Sequence, residues 1–451
     1  MIGGDTMRRF RFLHTADLHL GSPFQGLRSR LPDLWSARVR QAADEVFRRI
    51  VDIAIDERVD FVTVAGDVFD SPSVPMHVWF ELQRGLQKLC DAGIRVFLSH
   101  GNHDPLTGSA PVAWPDNVYV FPAVSVEPTE ALTPAWLELA PDTRIQICGF
   151  SYSRAAMTAS CANAFVRHRD ADFAIGLYHG SVGAVASADH ATYCPTSVQE
   201  LSTRGFDVFA LGHIHQQMVL SQTRPLVFYP GVPQGRHIRE PGVHGVAIVE
   251  VDEQGRTAVT WRRTAAVTFA PVEVSLDGED DLSRVPRWVA AAVRSVSSGS
   301  PALQMQQTQA KDSDPLPAIV RLYLTGVTPL ASALQPSEDL YSTLMGELQV
   351  LGLPAWIEEI RSELVPPLDR AALIHSAEFV GELLRFVEEC RSDPELARTL
   401  LSPVLEAVFH DGGDLTLVEP GEDEWRFVLD AAERQILTWY AAAGSGEEAN
   451  R

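Results

Sequence analysis

Short apolar runs rich in β-branched and aromatic residues recur through the first 266 residues, separated by stretches with helical spacing. That alternation predicts a layered α/β domain. Strands are expected at 10–14, 61–65, 95–99, 144–149, 173–179, 208–212, 226–229 and 246–251. A long helix over about 37–57 turns Val39, Val46, Ile50 and Ile53 to one side and Arg38, Arg48 and Arg49 elsewhere. The arginines read as a solvated helix face.

After Trp261 the pattern changes. A second α/β unit follows: strand 267–276, helix 283–296, strand 318–325, helix 337–350 and a short element near Trp356. Between its first helix and second strand, residues 297–317 are rich in Ser, Gln, Gly and Pro and predict a flexible loop. Pro366-Pro367 then sets off a third segment. There Leu373, Phe379, Leu383, Leu384, Phe386 and Val387 recur at helical spacing, as do Trp425, Val428, Leu429, Ile436 and Leu437. Such stripes either complete a domain's own core or dock on a partner. Residues 444–451 read as a frayed tail.

Composition narrows the class. The chain has 451 residues, enough for two or three domains, with an apolar fraction of 45% and a charged fraction of 21%. No apolar stretch approaches the roughly 18–20 residues that span a bilayer. The N-terminal residues lack the apolar core of an export signal. Five scattered cysteines, never spaced Cys-x-x-Cys, suggest neither a disulfide framework nor a thiolate zinc site. A reducing, cytoplasmic setting without a membrane fits.

The net charge of −22 is unevenly spread. Residues 1–266 carry 24 Lys and Arg against 28 Asp and Glu, and residues 267–451 carry 13 against 31. The acidity therefore belongs to the C-terminal part and leaves a nucleic-acid partner open for the rest. Basic residues are almost all arginine, which suits bidentate phosphate binding and equally reflects a biased genome composition.

The chemistry lies in five short segments, each following a strand-like run: Asp17-Leu18-His19, Gly66-Asp67, Gly101-Asn102-His103-Asp104, His179-Gly180 and Gly212-His213-Ile214-His215. Loops beyond the carboxyl ends of strands are where open α/β sheets bind ligands. Oxygen ligands with imidazoles and no thiolates favour Mn²⁺, Fe²⁺, Mg²⁺ or Zn²⁺. In Asp-x-His and His-x-His, residues two apart on extended backbone point to one face.

The set resembles the calcineurin-like metallophosphoesterase superfamily. Within it, Leu13 to Phe24 and Tyr229 to His237 resemble the SbcD-type DNA repair exonucleases, YhaO-like branch. The motif resemblance covers about residues 9–250. It implies an αββα sandwich over 7–266; beyond that, architecture alone gives a smaller α/β capping domain over 267–365 and a helical C-terminal partner-docking segment over 366–451. It also implies that Asp17, His19, Asp67 and His215 hold one metal ion and Asp67, Asn102, His179 and His213 a second. His103 would act on the leaving oxygen, with Asp104 orienting it.

Arg236 and His237 are candidates to touch substrate, His237 with a loop-structural role as the alternative. Some relatives carry histidine three residues after the bridging aspartate, where this chain has Asp70. That residue either accepts from a ligating histidine or caps the following Ser71-Pro72-Ser73 turn.

Three functions remain in view. The resemblance implies a Mn²⁺-dependent DNA exonuclease or endonuclease subunit in double-strand-break repair, partnered by a coiled-coil ATPase of the SbcC kind, with a homodimer left open. A phosphoesterase for a small phosphodiester or nucleotide would use the same metal chemistry. A structural subunit with a vestigial site is the third reading, and against it stands a complete set of ligand positions.

Overall fold

The buried runs of the first half form two six-stranded sheets in the computed structural model. It describes residues 7–22, 33–108, 111–125, 130–139, 143–183, 192–297, 316–367 and 369–393, and, further on, 395–396, 399, 426, 428–437 and 439–440. In the first sheet β1 (Phe10–Thr15), β2 (Phe61–Ala65), β3 (Arg95–Ser99) and β4 (Val118–Val120) run parallel. β11 (Gly245–Val251) and β12 (Thr257–Arg263) add an antiparallel flank beyond β1. The second sheet places β5 (Ala135–Leu139), β6 (Thr143–Cys148), β7 (Phe173–His179), β8 (Val208–Gly212), β10 (Leu226–Tyr229) and β9 (Met218–Ser221) side by side in that order. Its four central strands are parallel, and β5 and β9 close its edges antiparallel.

Alternation along the strands builds the layers. Phe10, Phe12, Phe61 and Phe97 point between the sheets, where they meet Ile145, Ile147, Phe173, Ile175, Val208 and Phe228. Their neighbours Leu13, Val62, Val64, Val96 and Leu98 point outward. They pack under α1 (Asp33–Asp56), through Val46, Ile50 and Val51, and α2 (Met76–Asp91), through Val78, Leu82, Leu86 and Leu89. Each such buried side chain contributes about 1.5–3 kcal/mol. On the outer face of the second sheet, Tyr178, Phe209, Val227 and Tyr229 are covered by Met157, Cys161, Phe165 and Leu201. Among the described residues the helices of that layer are short, a 3-10 turn at Ala162–Ala164 and α3 (Val198–Ser202).

His14 ties the two sheets together. Its Nδ1 lies 2.9 Å from the Thr63 hydroxyl of β2 and its Nε2 2.9 Å from the Leu211 carbonyl of β8. Burial pushes its pKa down to about 4, against partial support from those two partners.

A three-stranded sheet follows, in the order β13 (Thr268–Ser275), β14 (Ala318–Val327), β15 (Ala355–Val365), with α4 (Val285–Ser297) and α5 (Glu338–Val350). The element anticipated near Trp356 is thus an 11-residue strand. Its second half alternates half-buried and exposed charged residues, which hides its length from a pattern of apolar positions. α6 (Arg370–Ile374), α7 (Phe379–Ser392) and further helical residues, 428–437 among them, follow. Two compact units result, one of Met1–Pro271, Val293–Val320 and Pro354–Glu358, the other of Val272–Ala292, Arg321–Leu353 and Glu359 onward. The anticipated loop at 297–317 and tail at 444–451 lie almost wholly outside the described residues, as do Pro23, Phe24 and Trp425. No described helix is long and apolar enough to cross a membrane.

Candidate metal centre

All the anticipated ligands sit at the carboxyl ends of parallel strands. Asp17 and His19 follow β1, Asp67 follows β2, Asn102 and His103 follow β3, His179 ends β7, and His213 and His215 follow β8. The pairing of β1 with β2 continues past the strand ends: Asp17 N donates to Gly66 O (3.1 Å), His19 N to Asp67 O (3.0 Å) and Leu20 N to Val68 O (2.9 Å). The two loops therefore hold one register. Both oxygens of Asp17 accept from the His213 amide at 3.0 Å, and Asp67 Oδ1 accepts from the His103 amide at 2.9 Å.

The backbone is bent to make this possible. Asp17, His19, Asp67 and His213 have φ of 52°, 44°, 48° and 101°, a region that asparagine, aspartate and histidine enter more readily than other side chains. Gly101 and Gly212 allow the closest approaches. A Cβ on Gly101 would lie 2.2 Å from Asp67 Oδ1, and one on Gly212 would lie 1.9 Å from Ala65 O.

The side chains converge. Ligand atoms of Asp17, His19 and His215 lie within 4.8 Å of one another, and so do those of Asp17, Asp67 and His179. His19 Nε2 and His215 Nε2 face each other at 3.2 Å, and His179 Nε2 lies 2.9 Å from Asn102 Oδ1 and 3.5 Å from Asp67 Oδ2. His179 Nδ1 donates to Ala65 O and His215 Nδ1 to Glu240 Oε1, so in the neutral form of either ring Nε2 is the nitrogen left for a cation.

Electrostatics supports the same fit. Burial pushes the Asp17 carboxyl up to about 8, with the charge of Asp67 adding to the effect and His179 opposing it. Burial would lower His179, but the carboxylates of Asp67 and Asp17 raise it to about 10. Burial also opposes ionisation of Asp67, yet His179 and His19 hold it well below the usual carboxylate range. His215 falls to about 3 and His19 is lowered, chiefly through burial. The cluster thus takes up protons where it lacks positive charge, and its oxygen and imidazole donors suit divalent cations.

Two anticipated roles change, those of Asp104 and Arg236. Asp104 does not orient the His103 ring: its buried carboxylate accepts from the amides of Val68 (3.0 Å), Phe69 (3.2 Å) and Gly101 (2.8 Å) and meets His100 Nδ1 at 2.9 Å. It braces two ligand loops. The His103 ring is exposed, and its Nδ1 donates to the Asp70 carbonyl at 3.0 Å. Of the two roles anticipated for Asp70, the contact to a histidine of the cluster is the one present, its carboxylate facing His19 Nδ1 at 3.3 Å. Arg236 is committed to Asp70 and Glu240, not turned to substrate, and His237 Nε2 lies 3.6 Å from Glu240. Two participants went unseen in the sequence: buried Glu240, and Tyr152, whose hydroxyl donates to His179 O at 2.9 Å. Neither sits in a motif.

This arrangement of sandwich and clustered ligands defines a class. Residues 10–217 match the calcineurin-like phosphoesterase family, and this part of the chain is a metallophosphoesterase domain, a fold that binds two divalent metals. Among similar proteins, the metallophosphoesterase YhaO of Bacillus subtilis (strain 168) is 39% identical over 241 residues, which are 53% of this chain and 57% of that protein. The chain thus matches little more than half of that relative's length. The SbcD component of the SbcCD nuclease from the same organism is 26% identical over 310 residues, 62% of this chain and 75% of SbcD. The DNA double-strand break repair protein Mre11 of Aeropyrum pernix is 36% identical over 94 residues, 21% of each chain.

Proposed function

We propose that the chain is a Mn²⁺-dependent DNA nuclease subunit that hydrolyses phosphodiester bonds in double-strand-break repair in the cytoplasm. Asp17, His19, Asp67 and His215 would hold one ion, and Asp67, Asn102, His179 and His213 the other. The observation that carries this reading is the convergence of six of these side chains, those of Asp17, His19, Asp67, Asn102, His179 and His215, onto donor atoms a few ångströms apart, with the His213 ring centroid 5.4 Å from that of His179. Similarity to SbcD and Mre11 proteins, whose names give a nuclease and a break-repair protein, supports DNA as substrate. It equally supports a coiled-coil ATPase partner.

When bound, two divalent ions supply Lewis acidity to the phosphate and offset charge that builds in the displacement. The protein's own groups do the rest. Asp67 lies between the two ligand sets and keeps both in register. His103, with Nδ1–H on the Asp70 carbonyl, is held so that Nε2 can give a proton to the leaving oxygen. The test is purified protein with Mn²⁺ on end-labelled duplex DNA and on bis-p-nitrophenyl phosphate. Degradation of both is expected. Cleavage of the small diester alone would replace the nuclease reading with a small-substrate phosphodiesterase.

A further inference from the structure

Behind His19 and His215 stands a charged group that the seven ligands do not include. His215 Nδ1 donates to Glu240 Oε1 at 2.6 Å, and His19 Nδ1 lies 3.3 Å from Asp70 Oδ1. The Arg236 guanidinium spans both carboxylates, Nη1 to Asp70 Oδ1 at 2.9 Å and Nη2 to Glu240 Oε1 at 3.1 Å. Its own backbone amide donates to the other oxygen of Glu240 at 2.8 Å. Side-chain exposure is 5% for Glu240, 13% for Arg236 and 25% for Asp70, so water competes weakly for these contacts. The two imidazoles come from the loops after β1 and β8, and the two carboxylates from the loops after β2 and β10. Arg236 thus ties four chain segments into one unit.

We propose that Asp70, Arg236 and Glu240 are positioning residues dedicated to one of the two ions, the one held by Asp17, His19, Asp67 and His215. The inference rests on the ligand assignment proposed above. A carboxylate on Nδ1 fixes the tautomer of an imidazole, sets the plane of its ring and strengthens Nε2 as a donor. Because one guanidinium grips both carboxylates, neither ring can turn without losing its contact to a carboxylate that is itself held in place. The other ligand set is oriented by different groups. His179 is held by the Ala65 carbonyl and the Tyr152 hydroxyl, and the backbone at His213 by Asp17. Removing the Asp70–Arg236–Glu240 link should therefore weaken one ion and spare its neighbour.

The experiment is a Mn²⁺ titration of the full chain, by calorimetry and by electron paramagnetic resonance, which separates a lone ion from a coupled pair. The wild type is expected to bind two ions. Glu240→Gln and Asp70→Asn, on different loops, should each weaken the same single ion by roughly the 10- to 100-fold typical of lost outer partners and leave the other at wild-type affinity. Arg236→Met should weaken that ion as well. If Glu240→Gln disturbs its loop, Asp70→Asn decides, because it leaves the Asp70 carbonyl on His103 intact. Unchanged affinity for both ions in the variants, or equal loss of both with an unchanged circular dichroism spectrum, overturns the inference. A wild type that binds fewer than two ions would instead overturn the ligand assignment.

Discussion

Four of the seven proposed ligands hold a backbone conformation that costs an ordinary L-residue about 1–2 kcal/mol, and the surrounding hydrogen bonds sustain it. The Asp67 carboxylate accepts from the His103 amide and has the rings of His19 and His179 beside it. Asp67→Asn removes a charge shared by both ions, so elemental analysis should find both lost. Retention of two would contradict its bridging role. His103→Gln should behave differently, keeping both ions while turnover falls by about 10²–10⁴, the range of a lost general acid. Metal disappearing with activity would assign His103 to the ligands. The clustering of the proposed ligands was legible because each motif is local, at the end of a strand or within four residues after it. Asp104 and Arg236 were misread, Glu240 was unseen and Asp70 was left between two roles because their partners lie on other loops, 25 residues away for Glu240 and His215 and 166 for Arg236 and Asp70.

At the scale of elements, the strands that carry ligands were legible because both of their faces are buried and their apolar runs are continuous. β4 and β9 were not: they are three and four residues long, edge-placed and half-exposed, and leave no run to detect. Helix α2 does carry a signal, in Val78, Leu82, Leu86 and Leu89 along one face. The tie between the sheets is testable through His14. Its folded pKa of about 4 lies below the ordinary histidine value of 6.5, so the unfolded chain binds the proton first as pH falls. Stability from this group is present above pH 6.5 and is lost as pH drops toward 4, by an amount on the order of 3 kcal/mol. His14→Ala should cost about 2–4 kcal/mol at neutral pH, through the cavity and the two unsatisfied partners, and should flatten that part of the pH profile. Denaturant melts of both proteins between pH 4 and 7.5 provide the check. An unchanged slope would remove His14 as the titrating group.

At the scale of the whole molecule, acidity and chemistry are divided: residues 267–451 carry 13 basic against 31 acidic groups, whereas every proposed ligand lies before residue 216. The C-terminal helices form a packed group of their own. Val387, Cys390 and Leu429 share a small core with Leu396 and Ile436, and Arg391 pairs with Asp430 at 2.6 Å and with Glu433. Of the apolar stripe along α7, Leu384 and Val387 are buried and Leu383 is half-buried, so the first two cannot meet a partner. The exposed apolar side chains of α7 are Phe379 and Phe386, seven residues apart and on one helix face. If this segment docks the proposed ATPase, Phe379→Glu combined with Phe386→Glu should abolish copurification with a coexpressed SbcC-like protein and leave Mn²⁺-dependent diesterase activity unchanged. Deleting 368–451 should give the same outcome, because it removes no proposed ligand and no part of the two six-stranded sheets. An insoluble or metal-free truncation would show instead that these helices complete the core of the capping region, and copurification surviving the double substitution would place the partner elsewhere.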